Sequence, residues 1–268
     1  MPPSYTAFDK NGCFAATELV GTCQGANDAK GPVMSKGQCC FEVCGGLPVP
    51  CGLAFDVVAQ IEARSDWRAA IDPRSNAWLE DARMEHASIA AFARLSLELL
   101  ALGAPPELVA GAHAAALDEI EHARICFALA GEALGPAPLP IPELALADLR
   151  DVAVRTAKDS CVGELVSALV LAKAAHGDET IAKMADDELR HAALGWTIVA
   201  WACARDPSVL EPVREALRVG HFESAHLDPE SMREVLAEAR DLVAITSEAA
   251  VAAAASSRRS RTTTDPRA

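Results

Sequence analysis

Two stretches of this chain, LDEIEHA at residues 117–123 and DDELRHA at 186–192, repeat one pattern, Asp-Glu-x-x-His-Ala. Residues three apart on a helix project from one face. Glu119 with His122, and Glu188 with His191, therefore form two carboxylate–imidazole pairs, each on one side of its helix. What those pairs face depends on the sequence around them.

Working outward, the stripe through the first stretch continues as Leu108, Ala112, Ala115, Glu119, His122, Cys126 and Leu129, which predicts a helix over 106–131 with Pro106 at its start. The second stretch lies on a stripe of Ile181, Met184, Glu188, His191, Gly195 and Ile198, a helix over 178–204. Each has a helical predecessor. Trp78, Glu85, Ser88, Phe92, Leu95, Leu99 and Leu102 share heptad spacing over 75–102, and 146–175 forms a helix with Glu164 near its middle. GAPPE and HGDE make the two short turns, while PAPLPIPELAL has too many prolines for regular helix. Two helical hairpins joined by one long crossover describe an all-α four-helix bundle.

In that arrangement Glu85 and Glu164 add a lone inward carboxylate from each first helix. Four ionised carboxylates converging in an apolar interior repel one another and lose hydration, so their pKa values climb until some protonate. Two divalent cations balance them, with both histidines neutral, and carboxylate with imidazole suits iron or manganese. The expected metal ligands are Glu85, Glu119, His122, Glu164, Glu188 and His191. Glu-x-x-His alone is weak: Glu223 and His226 give a third instance, between helices and without companion glutamates, which reads as chance. The strength lies in the order Glu, Glu-x-x-His, Glu, Glu-x-x-His on four successive helices.

That order, from Glu85 to His191, resembles the ferritin-like carboxylate-bridged di-iron proteins, which include rubrerythrins, bacterioferritins and di-iron oxygenases. The resemblance covers about residues 75–204. It implies that Glu119 and Glu188 bridge two iron ions (manganese being possible), that Glu85 and Glu164 are terminal ligands, and that each histidine caps one metal. Larger ferritin-like proteins of myxobacterial type with a Cys-rich N-terminal segment are similar over more of the chain and imply no settled activity.

Neighbouring residues have two readings. Asp118 and Asp187 precede the bridging glutamates and are candidates to orient a histidine N–H across the bundle, or else are solvated helix carboxylates. Arg190 is placed to neutralise such an aspartate. Cys126 and Cys161, each one turn from a ligand, read as small core residues. His86 and His113 are rotated away from the ligand faces and read as surface histidines.

The remainder sets the boundaries. Six of nine cysteines fall in the first 51 residues (Cys13, Cys23, Cys39, Cys40, Cys44 and Cys51) and read as a disulfide-stapled module. This divides the chain into a Cys-rich module and linker at 1–74, the bundle at 75–204, two further helices within 205–255 (about 207–219 and 229–255) and a disordered tail at 256–268. The stretch LAFDVVAQIEARSDW is strand or short helix, its periodicity deciding nothing. The disulfides point to the cell envelope or exterior. The N-terminus MPPSYTAFDKNG has no signal-peptide features, which for a complete chain points to the cytoplasm. A net charge of −14 argues against nucleic acid, and no run of eighteen apolar residues exists to span a membrane.

The expected function is that of a non-haem dimetal oxidoreductase, an enzyme activating O2 or peroxide, with an electron donor and a small organic or peptide substrate as further partners. The alternatives are a ferroxidase or peroxide-detoxifying protein and a metal-stabilised structural or interaction protein. The single tyrosine, Tyr5, lies far outside the bundle in the sequence, which argues against a tyrosyl-radical role, and the chain lacks the paired Cys-x-x-Cys of a rubredoxin-like module.

Overall fold

The computed structural model describes residues 28–35, 38–44, 59–63, 66–131, 133–141 and 145–262. The chain divides into two compact units, Met1–Val49 and Pro50–Ala268. In the first, β1 (Asp28–Ser35) and β2 (Gln38–Cys44) form an antiparallel hairpin, with a register shift between Lys30 and Val33. The expected disulfides of Cys13, Cys23, Cys39, Cys40, Cys44 and Cys51 lie outside the residues whose side chains are described.

The second unit is mostly helical. Its first described element, β3 (Ile61–Ala63), is a short strand within the ambiguous stretch. Then come α1 (Trp78–Ala101), α2 (Pro106–Ala130), β4 (Leu134–Pro136), α3 (Leu149–Thr156), a π-helical segment (Ala157–Glu164), α4 (Leu165–Ala174) and α5 (Glu179–Arg205). A 3-10 turn at Pro207–Val209 leads into α6 (Leu210–Ala216), and α7 (Pro229–Thr262) ends the described chain. The proline-rich connection is non-helical, and its β4 pairs antiparallel with β3. Among the described residues no helix is long and apolar enough to cross a membrane.

The ends follow local chemistry. Asp178 caps α5 by accepting from the backbone N–H of Thr180 at 2.8 Å and of Ile181 at 3.1 Å. Gly131 ends α2 at φ 93°, a left-handed conformation that a side chain would disfavour. Two expectations need correction. The helix expected over 146–175 runs unbroken from Leu149 to Ala174, but its middle is π- rather than α-helical, and that segment, AKDSCVGE, holds Gly163, Asp159 and Ser160, all poor helix formers. The last helix continues past 255 to Thr262, so the tail expected to be disordered from 256 begins as helix, in keeping with the Ala-rich sequence there.

Packing makes layers along the helices. One apolar cluster joins Ala87, Phe92, Leu95 and Leu99 of α1 to Leu108, Ala112 and Ala115 of α2 and Ile198 of α5. A second joins Trp78 and Ala82 to Ile125, Cys126, Phe127 and Leu129, with Leu171, Ile181 and Met184. Between them, along α1, α2 and α5 alike, comes a buried polar layer: Glu85 and Ser88, Glu119 and His122, Glu188 and His191. On the outer side, Val235, Leu236, Ala239 and Val243 of α7 cover Val162, Leu165, Val166 and Val170.

Candidate metal centre

All six expected ligand residues meet in the polar layer. Donor atoms of Glu85, Glu119, His122 and Glu188 lie within 4.8 Å of one another, and so do those of Glu119, Glu164, Glu188 and His191. The two groups share Glu119 and Glu188. None of the six is more than 8% exposed, and Glu85 is the most accessible.

Orientation within the layer is informative. His122 on α2 places Nε2 3.2 Å from Asp187 Oδ2 on α5, and His191 on α5 places Nε2 3.3 Å from Asp118 Oδ2 on α2. With Nε2–H donated to an aspartate, each imidazole presents an Nδ1 lone pair inward. His122 Nδ1 then lies 3.0 Å from Glu188 Oε1, and His191 Nδ1 3.0 Å from Glu119 Oε1. Neither approach has hydrogen-bond geometry: His122 Nδ1, His191 Nδ1, both carboxylate oxygens of Glu119 and of Glu188, and Glu164 Oε1 are buried without a hydrogen-bond partner. Buried polar atoms are rarely left so. Seven of them converging on one place mark a site shaped for something that accepts their lone pairs.

Outside the histidines, Arg190 ties the halves together. It donates to Asp187 Oδ1 at 2.5 Å and to Asp118 Oδ2 at 3.3 Å. Lys183 adds a bond to Asp187 Oδ2 at 2.7 Å. Asp118, Asp187 and Arg190 thus form one chain of contacts behind both imidazoles. Phe92 closes the side of His191, edge to face at 5.2 Å between ring centres.

The electrostatics are strained. Burial first, and then the charges of Glu119 and Glu188, push the Glu85 carboxyl well above its usual range. Burial and then Glu188 do the same to Glu164. Burial opposes charge on His122, but Asp187 and Glu188 outweigh it and raise that imidazole well above its ordinary value. Burial is likewise overcome at His191, raised to about 10 by Glu119 and Glu188. Against the same burial, His122 and His191 hold Glu188 well below the carboxylate range, and His122, Lys183 and Arg190 hold Asp187 low. With nothing but protons to share, the cluster spreads them over carboxylates and imidazoles alike.

Other expected positions fall elsewhere. Cys126 and Cys161 are buried free thiols whose pKa burial raises, so neither is a ready thiolate. His113 is exposed, but His86 is not a surface histidine: it is half-buried and packs edge-on against Trp67 at 4.9 Å, because the segment before α1 folds back over that helix. Glu223 and His226 do not form a pair. Glu223 meets His221 at 3.0 Å, whereas His226 bonds Asp81 at 2.8 Å and stacks on Trp78.

Sequence reasoning passed over two residues beside the layer and one farther from it. Lys183, one turn before Asp187, was legible as an i,i+4 pair. Ser160, buried in the π segment, carried no signal. Glu98, fully buried on α1, holds Arg94, Arg155 and the backbone N–H of Ala147, and so anchors the crossover to α1 away from the metal layer.

Compared with known proteins, the chain matches no family model, no curated protein and no solved structure. The buried glutamate–histidine cluster is nonetheless of a kind that can hold a metal, and it is compatible with a ferritin-like site.

Proposed function

We propose that α1, α2, the π segment with α4, and α5 are the four helices of a ferritin-like bundle, and that its polar layer holds two metal ions in a non-haem dimetal oxidoreductase centre. The observation that carries this is the set of orphaned, inward-facing donors, divided into two groups that share Glu119 and Glu188. Glu119 and Glu188, common to both groups, would hold both ions, with Glu85 and His122 completing one set and Glu164 and His191 the other. Oxygen donors with one imidazole per ion favour iron, with manganese the alternative. Bound there, a pair of iron ions supplies the redox equivalents for reducing O2 or peroxide.

The chain's own residues do the rest. Asp187 and Asp118 fix the imidazole tautomers; Arg190 holds both aspartates in place, and Lys183 adds a second cation at Asp187. Glu85 and Glu164, whose carboxyls burial and neighbouring charge push up, are the groups that exchange protons as the charge of the site changes. The apolar clusters to either side exclude bulk water.

The test is metal content. The full chain, purified and exposed to Fe(II) and air, is expected to hold two iron ions and to develop near-ultraviolet ferric absorption. Less than about one metal per chain under replete conditions ends the proposal. Full loading with Fe(II) oxidation but no organic turnover selects the ferroxidase form of the activity. Full loading with no oxygen or peroxide consumption leaves a structural metal and overturns the enzymatic part.

A further inference from the structure

We propose that Ser160 is a hydrogen-bond donor to a small oxygen-donor ligand, water or the incoming oxidant, in the half-site of Glu119, Glu164, Glu188 and His191. The inference rests on the dimetal reading and adds to it a residue outside the six ligands.

Ser160 is 1% exposed, and its Oγ is buried without a hydrogen-bond partner. Helical hydroxyls normally avoid that state by bonding back to a carbonyl of their own helix. In this chain Ser96 does so to Ala93, Thr197 to Ala193, Thr246 to Leu242 and Ser247 to Ala244. Ser160 does not, although a hydroxyl left unpaired in the interior costs about 1–3 kcal/mol and alanine there would cost nothing. An unpaired buried donor is accounted for by a ligand that is itself transient.

Its position says which ligand. Ser160 and Glu164 lie one turn apart on the π segment, and His191 and Gly195 one turn apart on α5. These segments are joined by the short turn at 175–178 and run antiparallel, so one turn back from Glu164 and one turn on from His191 is the same level. The structure shows that match directly: a Cβ built on Gly195 would lie 2.5 Å from the Cβ of Ser160 and 3.2 Å from the backbone N of Cys161. The absence of a side chain at 195 brings the serine against α5, about one helical turn (~5 Å) above the Glu164–His191 pair. A π-helical segment places it there, and such departures from α geometry frequently accompany functional sites. Among the described residues none satisfies the hydroxyl, and a water-sized ligand between it and that pair would supply the partner it lacks.

Ser160→Ala in the full chain tests this, with azide as the probe of the exogenous-ligand position. After loading with iron, the variant is expected to hold as much metal as the wild type and to bind azide about tenfold more weakly by optical titration, the worth of one hydrogen bond. Ser160→Cys, similar in size but a weaker donor, is expected to fall between. The metal-free Ser160→Ala chain is expected to melt no lower than wild type. Azide affinity unchanged in Ser160→Ala, with normal metal content, overturns this inference and leaves the dimetal reading standing. A variant that melts several degrees lower, or cannot load metal, also overturns it, because the serine then builds the site rather than serving its ligand. A wild-type chain that takes up no metal overturns both.

Discussion

His122 on α2 gives its Nε2 to Asp187 on α5 across 3.2 Å, so an imidazole from one half of the site is held by a carboxylate from the other. Asp118 returns the contact to His191 at 3.3 Å. The two contacts are not equal. Asp187 is buried and also carries Lys183 and Arg190, whereas the Asp118 side chain is 29% exposed and, among the described residues, pairs besides with Arg190 alone. Asp187→Asn removes the charge that fixes the His122 tautomer, takes from Lys183 its counter-ion here and leaves Arg190 with Asp118 alone. Iron affinity, measured by competition with a chromophoric chelator, is expected to fall by about 10–100-fold. Asp118→Asn is expected to sit at or below the lower end of that range. Equal losses from both variants would show that the asymmetry in burial carries no energetic weight.

Neutralising a terminal carboxylate has opposite effects on the two forms of the protein. Glu164 is pushed up by burial and by Glu188, so folding favours its protonated form. A raised carboxyl contributes stability below its unfolded value, and that contribution is lost as pH rises through the folded value. At neutral pH the metal-free chain therefore carries a group it is better without. Glu164→Gln is expected to raise the metal-free melting temperature by several degrees, on the order of 1–4 kcal/mol, and to flatten its decline above the ordinary carboxylate range. The same substitution removes a ligand and lowers metal content. A variant less stable than wild type in the metal-free form would mean that the carboxylate repulsion is already relieved by other means.

Metal uptake must displace protons. His122 and His191 are both raised in the metal-free chain, His191 to about 10, and a protonated Nδ1 has no lone pair for a metal. Each imidazole is expected to release a proton on loading, so apparent affinity rises with pH across the neutral range and keeps rising towards the raised histidine values. Calorimetry in buffers of differing ionisation enthalpy counts the protons directly. Affinity that is flat between about pH 6 and 9 would contradict the histidine assignment.

Much of this arrangement is legible before any coordinates, for a physical reason. The ligands fall on heptad stripes, and the stripe residues around them, from Trp78 to Leu99 and from Leu108 to Leu129, are buried where the periodicity puts them. What periodicity does not carry is a change of period. The π segment shifts the phase of the third helix between Thr156 and Leu165, and nothing in AKDSCVGE announces more than a weak helix. Pairings between distant segments are equally silent. Glu98 looks like any helix carboxylate until Arg155 and the N–H of Ala147 are brought to it, and His226 looks like half of a chance motif until Asp81 and Trp78 meet it. Asp187 lies between these cases: a histidine across the bundle is one of the two partners its position allows, solvent the other, and the fold selects the histidine.

The glycines on the ligand helices separate two kinds of close approach. At Gly111 on α2 an added Cβ would meet the end of the Leu194 side chain at 2.6 Å, a group that can rotate away. At Gly195 on α5 it would meet the Cβ of Ser160 at 2.5 Å and the backbone N of Cys161 at 3.2 Å, which move only if the π segment moves. Replacing an interior helical glycine by alanine gains about 1 kcal/mol of helix propensity. Gly111→Ala is therefore expected to be near neutral in a denaturant melt. Gly195→Ala is expected to cost about 1–3 kcal/mol after that gain, as overpacked cores do. It is also expected to lower metal content, because the segment that must retreat carries Glu164. Equal stability of the two variants would mean that the π segment yields easily, and that the tight contact between Ser160 and α5 is not what holds Glu164 in register with His191.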